Sequence, residues 1–506
     1  MKGNKMKNNA LRTLSAFLAA AVLIPFAACG ESSGTAAQET AADTDTSVTE
    51  AETIDYESLS FLERLQIDYE AVPDGLPDVD MGGAEIVIHD SAISLDKTVV
   101  GPEEMTGEII DDAMFARRAE TEERFNCVIK GHIVNYEQDY SKYVGLMNSI
   151  FLSGDDVFDI MKIWNTTSVT FTQQGFLADL SQISTISFDK PWTFKEATDK
   201  LSYRGHKFVS VDLLSGTNAY GEMVVTYFNK DIAADFQMEN FYDAVRDGKW
   251  TFELMASNAR TAYVDLNGNS SFDSKEDQFG CEFPVAEDSF TLMPSMGLYF
   301  IGKDADDVPY LLPNESIERF DTIYGAIRDF VKEKGTTTYS DWGSGIFSSG
   351  RALFYPARLN RTSEMRDVSF NIGILPPFKF DEAQDGYKTC FLPNPSGIPY
   401  TCGDKERAGI ILSALAAGGY KKIAVPYFET VVKTKYTTDE DSAEMLDIVA
   451  SNVTSDGIIM FCSSRLYTLL SFMSGKKEFS SFWASTEESS QKEVDNVIAA
   501  LDEMIG

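Results

Sequence analysis

Short apolar runs alternate with longer amphipathic ones between residues 84 and 164 of the chain. Residues 84–89, with Ile86, Val87 and Ile88 in a row, read as a strand opened by Gly82 and Gly83. Residues 107–126 place Ile110, Ala113, Met114 and Phe125 on one side with Arg and Glu elsewhere, which predicts an amphipathic helix. A strand over 127–134, a helix over 140–153 and a strand over 158–164 follow. Strand, helix, strand, helix, strand predicts a parallel sheet covered on both faces, hence an α/β fold. Ligands of such sheets sit beyond the carboxyl ends of the strands, which selects Asp90 and Trp164 as candidate contacts.

Farther on, residues 205–211 and 224–228 read as strands, and a helix should begin at Asn229-Lys230. A helix is predicted over 250–262, where Trp250 is assigned to packing, and a strand over 346–356. From about 404 helical patterns dominate, clearest over 408–417 and 443–452.

The first thirty residues are of another kind. Lys2, Lys5, Lys7 and Arg12 precede an apolar run from Leu14 to Ala28, too short for a bilayer span and suited to a signal-peptide core. It ends in Phe26-Ala27-Ala28-Cys29-Gly30, which resembles the bacterial lipobox, with Phe26 where Leu is usual. The resemblance implies a lipid on Cys29; the alternative is ordinary cleavage after Ala28, leaving a free thiol. Residues 30–55 are Gly, Ser, Thr, Ala, Glu and Asp with almost no large apolar side chain, a composition expected to stay disordered as a leash. A helical extension over 56–82, carrying Phe61, Leu62 and Leu65, leads into the body.

About 450 residues follow the leash, more than one core usually serves, so two lobes are expected. The chain carries 43 basic and 79 acidic residues; loss of the four leader cations takes its net charge from −36 to −40. Such a surface excludes nucleic acid and electrostatic docking to anionic headgroups. With three histidines, His89, His132 and His206, and no paired C-x-x-C, a transition-metal or histidine-based catalytic centre has little to work with. Besides Cys29, five cysteines remain, so at least one thiol is free; Cys390 and Cys402 could pair but read better as small buried hydrophobes. The G-x-S-x-G match at Gly30–Gly34 lies in the leash, without the strand and helix a nucleophile elbow needs.

Residues 265–276 set Asp265, Asn267, Asn269, Ser271, Asp273 and Glu276 at spacings that can wrap oxygen ligands around Ca²⁺. Gly268 and Ser270 depart from the EF-hand order, and the other reading is a solvated turn. The loop resembles that of alginate-binding solute receptors.

Phe158-Asp159-Ile160, Gly175–Leu180, Tyr227-Phe228-Asn229-Lys230, Asp247–Thr251, Phe347–Phe354 and Ile372–Pro376 stand in an order that resembles the extracellular solute-binding proteins of bacterial ABC importers. The resemblance spans roughly residues 83 to 390. It implies a type II periplasmic-binding fold, two α/β lobes with a hinge and an interlobe cleft, and carbohydrate as the commonest ligand class. Lobe 1 is then expected over 83–222 with 346–380 returning to it, and lobe 2 over 223–345 with 385–506. Hinges are expected near Tyr220–Val225, at Gly345 and after Pro376.

Aromatics make up 12% of the chain, and sugars stack their C–H faces on such rings. Trp164, Trp192, Tyr220, Trp342 and Tyr355 are the aromatic candidates, with Asp90, Asn218 and Arg358 as polar ones. The expected function is a monomeric, lipid-anchored, extracytoplasmic receptor that captures a sugar or oligosaccharide for an ABC permease and breaks no bond. The alternatives are an exported glycan-active enzyme using a carboxylate pair, and a receptor for peptides or other small solutes.

Overall fold

A computed structural model of the chain describes residues 72–91, 99–134, 140–270, 275–285, 287–339, 345–365, 367–428, 440–466, 469 and 478–506. The leader, Cys29, the leash and residues 56–71 of the expected helical extension lie outside the described residues, and the described remainder of that extension, 72–82, forms no helix.

The first lobe opens with β1 (Ala84–Asp90), α1 (Ile109–Phe125), β2 (Cys127–Ile133), α2 (Tyr140–Ser153), β3 (Ile160–Lys162) and α3 (Asn165–Gln173). Strand β1 lies between β2 and β3 and is parallel to both, with His89 opposite His132 and Asp90 opposite Lys162. Helix α1 has Asp111 and Asp112 in its first turn and Arg124 in its last, each complementing the helix dipole. It stops at Asn126, whose left-handed φ of 48° lets its N–H reach Glu122 and Glu123 carbonyls. Its buried stripe, Met114, Arg117, Thr121 and Phe125, follows helical spacing. Ile86 and Ile88 of β1 join Phe125, Ile129 and Ile160 in one core, while Val87 packs into the other, as alternation along a strand requires.

The second lobe is built on β4 (Val224–Asn229), α4 (Phe252–Ala262), β5 (Phe279–Pro284), α5 (Glu287–Ser295), α6 (Pro313–Phe330), β6 (Thr336–Tyr339), β7 (Ala352–Arg358) and β8 (Ile372–Leu375). Its sheet runs in the order β8, β4, β7, β5, β6. Strand β5 is parallel to β6 and β7, whereas β4 is antiparallel to both its neighbours. Thr251 caps α4 through its hydroxyl on the Leu254 N–H at 3.3 Å. The side chain of Trp250 is fully buried, its Nε1–H donating to the Pro376 carbonyl at 2.9 Å.

The expected division of the chain needs correction in its second half. Strands β7 and β8 flank β4, so residues 346–380 do not return to the first sheet. The mixed strand directions hide this from the sequence, because nothing in an apolar run states which neighbour it pairs with. Gly345 lies between β6 and β7 of the same sheet and is not at a crossing. The return comes later: β9 (Ser396–Gly397) pairs antiparallel with β3. Next, α7 (Lys405–Gly418) buries Ile411 and Leu415 in the core that holds Ile86 and Phe125. After α7 the helix widens to a π-helical stretch, Gly419–Ala424, and runs on to Phe428. Residues 405–428 are the one helix among those described that is long and apolar enough to cross a membrane, and most of it is buried inside the protein, as in a core helix. Helix α8 (Glu440–Ser451) then packs on β8, and α9 (Phe479–Ile505) lies against both α6 and α3.

Residues 205–211, expected as a strand, form none: Tyr203–His206 and Ser210–Ser396 are isolated bridges, while Phe208, Val209 and Val211 are buried. Cys127, Cys281, Cys390, Cys402 and Cys462 are all buried free thiols.

Candidate functional site

The parallel strands β5, β6 and β7 end together at one edge of the second sheet, and a polar network is built there. Arg358 closes β7 opposite Val224, the first residue of β4. Its Nε–H donates to Asp288 Oδ1 at 2.5 Å and an Nη1–H to Glu222 Oε2 at 2.6 Å. Asp288 belongs to the first turns of α5, where the helix dipole favours a carboxylate. The Tyr339 hydroxyl at the end of β6 contacts Asp288 Oδ2 at 3.2 Å and the Pro356 carbonyl at 2.7 Å. Burial and the Asp288 charge hold its phenol well above the ordinary range, so it stays a neutral donor. Asn360, just past the strand and exposed, donates to Glu222 Oε1 at 3.2 Å. One guanidinium thus bonds two carboxylates, with partly exposed side chains at Glu222 and Arg358. Fixed donors and acceptors of this kind suit a ligand rich in hydroxyl groups, which both donate and accept.

A second group of polar side chains closes the first sheet. Asp90, at the end of β1, accepts the Val99 N–H on Oδ2 at 2.7 Å. Burial pushes its carboxyl up, against the pull of Lys162. Oδ1 of Asp90 and Oδ1 of Asn165 are buried without a hydrogen-bond partner. Trp164, half-buried, precedes α3, and its carbonyl accepts the Thr167 N–H at 2.9 Å and the Ser168 N–H at 3.2 Å.

Gly221 and Glu222 lead from the first lobe into β4. Tyr220 is buried there, stacked on Tyr427 with centroids 6.2 Å apart and edge-on to Phe428 at 4.8 Å.

The structure therefore sorts the predicted contacts. Asp90 and Trp164 stand at the end of the first sheet and Arg358 at the end of the second. Trp192 is buried beside Tyr420 and beneath Lys190, and Tyr355 is buried against Tyr227, Tyr339 and Phe347, so both are core. Tyr220 is core at the crossing. The Asn218 side chain and Trp342 lie outside the described residues. Glu222, Asp288, Tyr339 and Tyr427 were missed; only the strand-end position of Arg358, which carries two of them as partners, pointed to the place.

In the candidate calcium loop, both carboxylate oxygens of Asp265 accept backbone N–H groups, from Gly268 and Ser270, each at 2.7 Å. Asn267 accepts the Asn269 N–H at 2.9 Å and donates to Glu276 at 2.7 Å. Ser271 and Asp273 lie outside the described residues, and among those described no three His, Cys, Asp or Glu side chains converge as a metal site. The described half fits a self-bonded turn, with Asp265 and Glu276 as its anionic oxygens. A cavity of about 240 Å³ opens elsewhere, at the far end of β4, between Phe228, Lys230, Met238, Tyr242 and Asp441. It lies away from the strand-end network, and the Lys230 ammonium is already seated 5.3 Å over the Tyr242 ring.

Comparison with solved structures decides the architecture. The sugar-binding protein MalE of Xanthomonas citri superposes with a TM-score of 0.55 at 12% identity, over 82% of this chain and 98% of its own. The fold is that of the ABC substrate-binding proteins. A sugar transporter protein of Rhizobium etli in an open conformation matches with a TM-score of 0.51 at 13% identity, over 82% of this chain and 100% of its own. An ABC substrate-binding protein of Listeria monocytogenes, solved with cycloalternan, matches at 0.50 and 14% identity, over 83% and 99%. Each of these neighbours is spanned nearly from end to end. No protein-family model and no curated protein matches the sequence.

Proposed function

We propose that the chain is an extracytoplasmic substrate-binding protein that captures a carbohydrate, an oligosaccharide by preference, and delivers it to the permease of an ABC importer. The observation that carries this reading is the network of Arg358, Glu222, Asp288 and Tyr339 at the strand ends of a substrate-binding-protein fold. Charged groups positioned by their neighbours can bond adjacent hydroxyls of a sugar ring at a small reorganisation cost, and preorganisation of this kind favours affinity. The protein acts by lobe closure and releases its cargo unchanged, as a monomer. A lipid on Cys29 keeps it beside the permease, with residues 30–55 as the leash. Calcium at 265–276, between Asp265 and Glu276, is a structural adjunct of the same reading.

Titration calorimetry over a panel of mono- and oligosaccharides tests it. Saturable binding at micromolar concentrations, about −8 kcal/mol, is expected for at least one sugar, with Arg358→Ala weakening it about tenfold or more. Absence of binding across the panel defeats the carbohydrate reading, and glycan cleavage by the purified protein defeats the non-enzymatic one in favour of the carboxylate-pair enzyme. Mass spectrometry of membrane-extracted protein, before and after a Cys29→Ser change, tests the anchor.

A further inference from the structure

The Tyr427 hydroxyl is buried without a hydrogen-bond partner. Such a group is costly to bury unless another arrangement of the protein uses it. Its surroundings show which arrangement. A side chain added at Gly221 would place its Cβ 3.2 Å from the Tyr427 hydroxyl and 3.3 Å from Asn360 Cβ. The bare glycine thus lets the Tyr427 hydroxyl and Asn360 both pack closely against the chain just before Glu222. Glu222 is the next residue, and its carboxylate acts electrostatically on the Tyr427 phenol. In the present arrangement the Glu222 carboxylate is bonded instead by Arg358 at 2.6 Å and Asn360 at 3.2 Å.

Resting on the receptor reading above, we propose that Glu222 is a positioning residue that exchanges Arg358 and Asn360 for the Tyr427 hydroxyl when ligand takes those two side chains. The exchange couples occupancy of the site to the first lobe crossing. Tyr427 is fixed for this role: it stacks on Tyr220, and the helix that carries it sits backbone-to-backbone on the first lobe. A Cβ at Gly419 would come within 2.2 Å of the Leu213 carbonyl, and one at Gly418 within 2.6 Å of Arg117 Cγ. A carboxylate accepting a phenol O–H gains a charge-assisted bond, so release from Arg358 does not strand the charge.

The test is a double-mutant cycle on the full chain, read as the distance between spin labels at V128C and K332C, exposed positions in the first and second lobes. Arg358→Gln removes the cationic partner of Glu222 without ligand, leaving the Asn360 bond in place, and is expected to shift the distance distribution. Tyr427→Phe alone leaves the distribution unchanged, since the hydroxyl makes no bond there. Combined with Arg358→Gln, it restores the wild-type distribution, and Glu222→Gln does the same. In the sugar arm, Tyr427→Phe weakens binding about fivefold while its melting temperature stays at or above that of the wild type. If Tyr427→Phe leaves the Arg358→Gln distribution untouched, or if sugar binds both proteins equally, the exchange is refuted while the receptor reading stands. If the cycle shows coupling but no sugar binds the wild type, the receptor reading fails and the exchange remains. Should Arg358→Gln not fold, Arg358→Lys, which keeps the charge and loses the paired geometry, takes its place.

Discussion

His89 sets up an acid-sensitive term in the stability of the first lobe. It is fully buried on β1, with Nδ1 3.1 Å from His132 Nδ1 and Nε2 3.1 Å from the Tyr143 hydroxyl. The Phe158 ring lies 5.0 Å away. Burial, reinforced by His132, lowers its pKa from 6.5 to about 3. The folded protein therefore keeps His89 neutral, while the unfolded chain takes up a proton once pH falls below 6.5. Stability from this group is complete above pH 6.5 and is lost as pH falls toward 3. Between pH 6.5 and 4 the loss is about 3 kcal/mol, at 1.36 kcal/mol per pH unit. Asp212 and Asp456 act in the opposite sense. Both are buried, with pKa raised to about 6, so the fold binds their protons first and gains stability as pH falls from 6 toward 4. The wild-type profile alone mixes these terms, and the useful comparison is with His89→Gln, which cannot take up the proton. Urea denaturation at several pH values is expected to show the wild type losing about 3 kcal/mol relative to the variant between pH 6.5 and 4. Parallel profiles for the two proteins would refute the buried neutral imidazole.

Three further perturbations test the frame around the site. Arg117→Met removes a buried guanidinium that bonds the Leu214 carbonyl at 2.8 Å and also the Val99 carbonyl; it should cost about 3 kcal/mol or more in the urea midpoint, and a loss under 1 kcal/mol would contradict that bonding. Gly280→Ala would place a Cβ 1.8 Å from the Ala259 carbonyl oxygen of α4, so the helix must lift from β5; soluble protein with an unchanged melting temperature would show that the contact is not this close. Calcium should raise the melting temperature and EDTA lower it if 265–276 holds an ion, and indifference to both removes the metal from the loop.

The β1-α1-β2-α2-β3 succession was legible because each element keeps its own apolar period and each boundary carries its own signal, as Asn126 does at the end of α1. The second sheet was less so. Its strands are short and mixed in direction, and an apolar run such as Ala352–Arg358 reads the same whichever sheet receives it. Phe208, Val209 and Val211 have the composition of a strand, but they are buried in a stretch tied by single bridges. Aromatic content misled in the same way: Trp192, Tyr220 and Tyr355 are large rings that the core itself needs, so abundance could not separate stacking platforms from packing. Arg358 was readable as a charged residue closing an apolar strand. Glu222 and Tyr427, about two hundred residues apart, meet only through the fold.

The late return of β9 to the first sheet bears on how the chain is made. Strand β3 has β1 on one side from the time its own segment emerges, yet its other edge waits for Ser396–Gly397. The helix that closes over Ile86 and Ile88 comes later still, at Lys405–Gly418. The first half is not a continuous stretch of polypeptide, so it cannot be cut out as a fragment with its sheet complete, whereas all five strands of the second sheet lie within residues 224–375. During synthesis the first half must remain an open-edged intermediate while the whole second sheet is being produced. An open edge is where strands of other molecules pair, so the time spent before residue 418 emerges is the interval in which this protein is most exposed to aggregation.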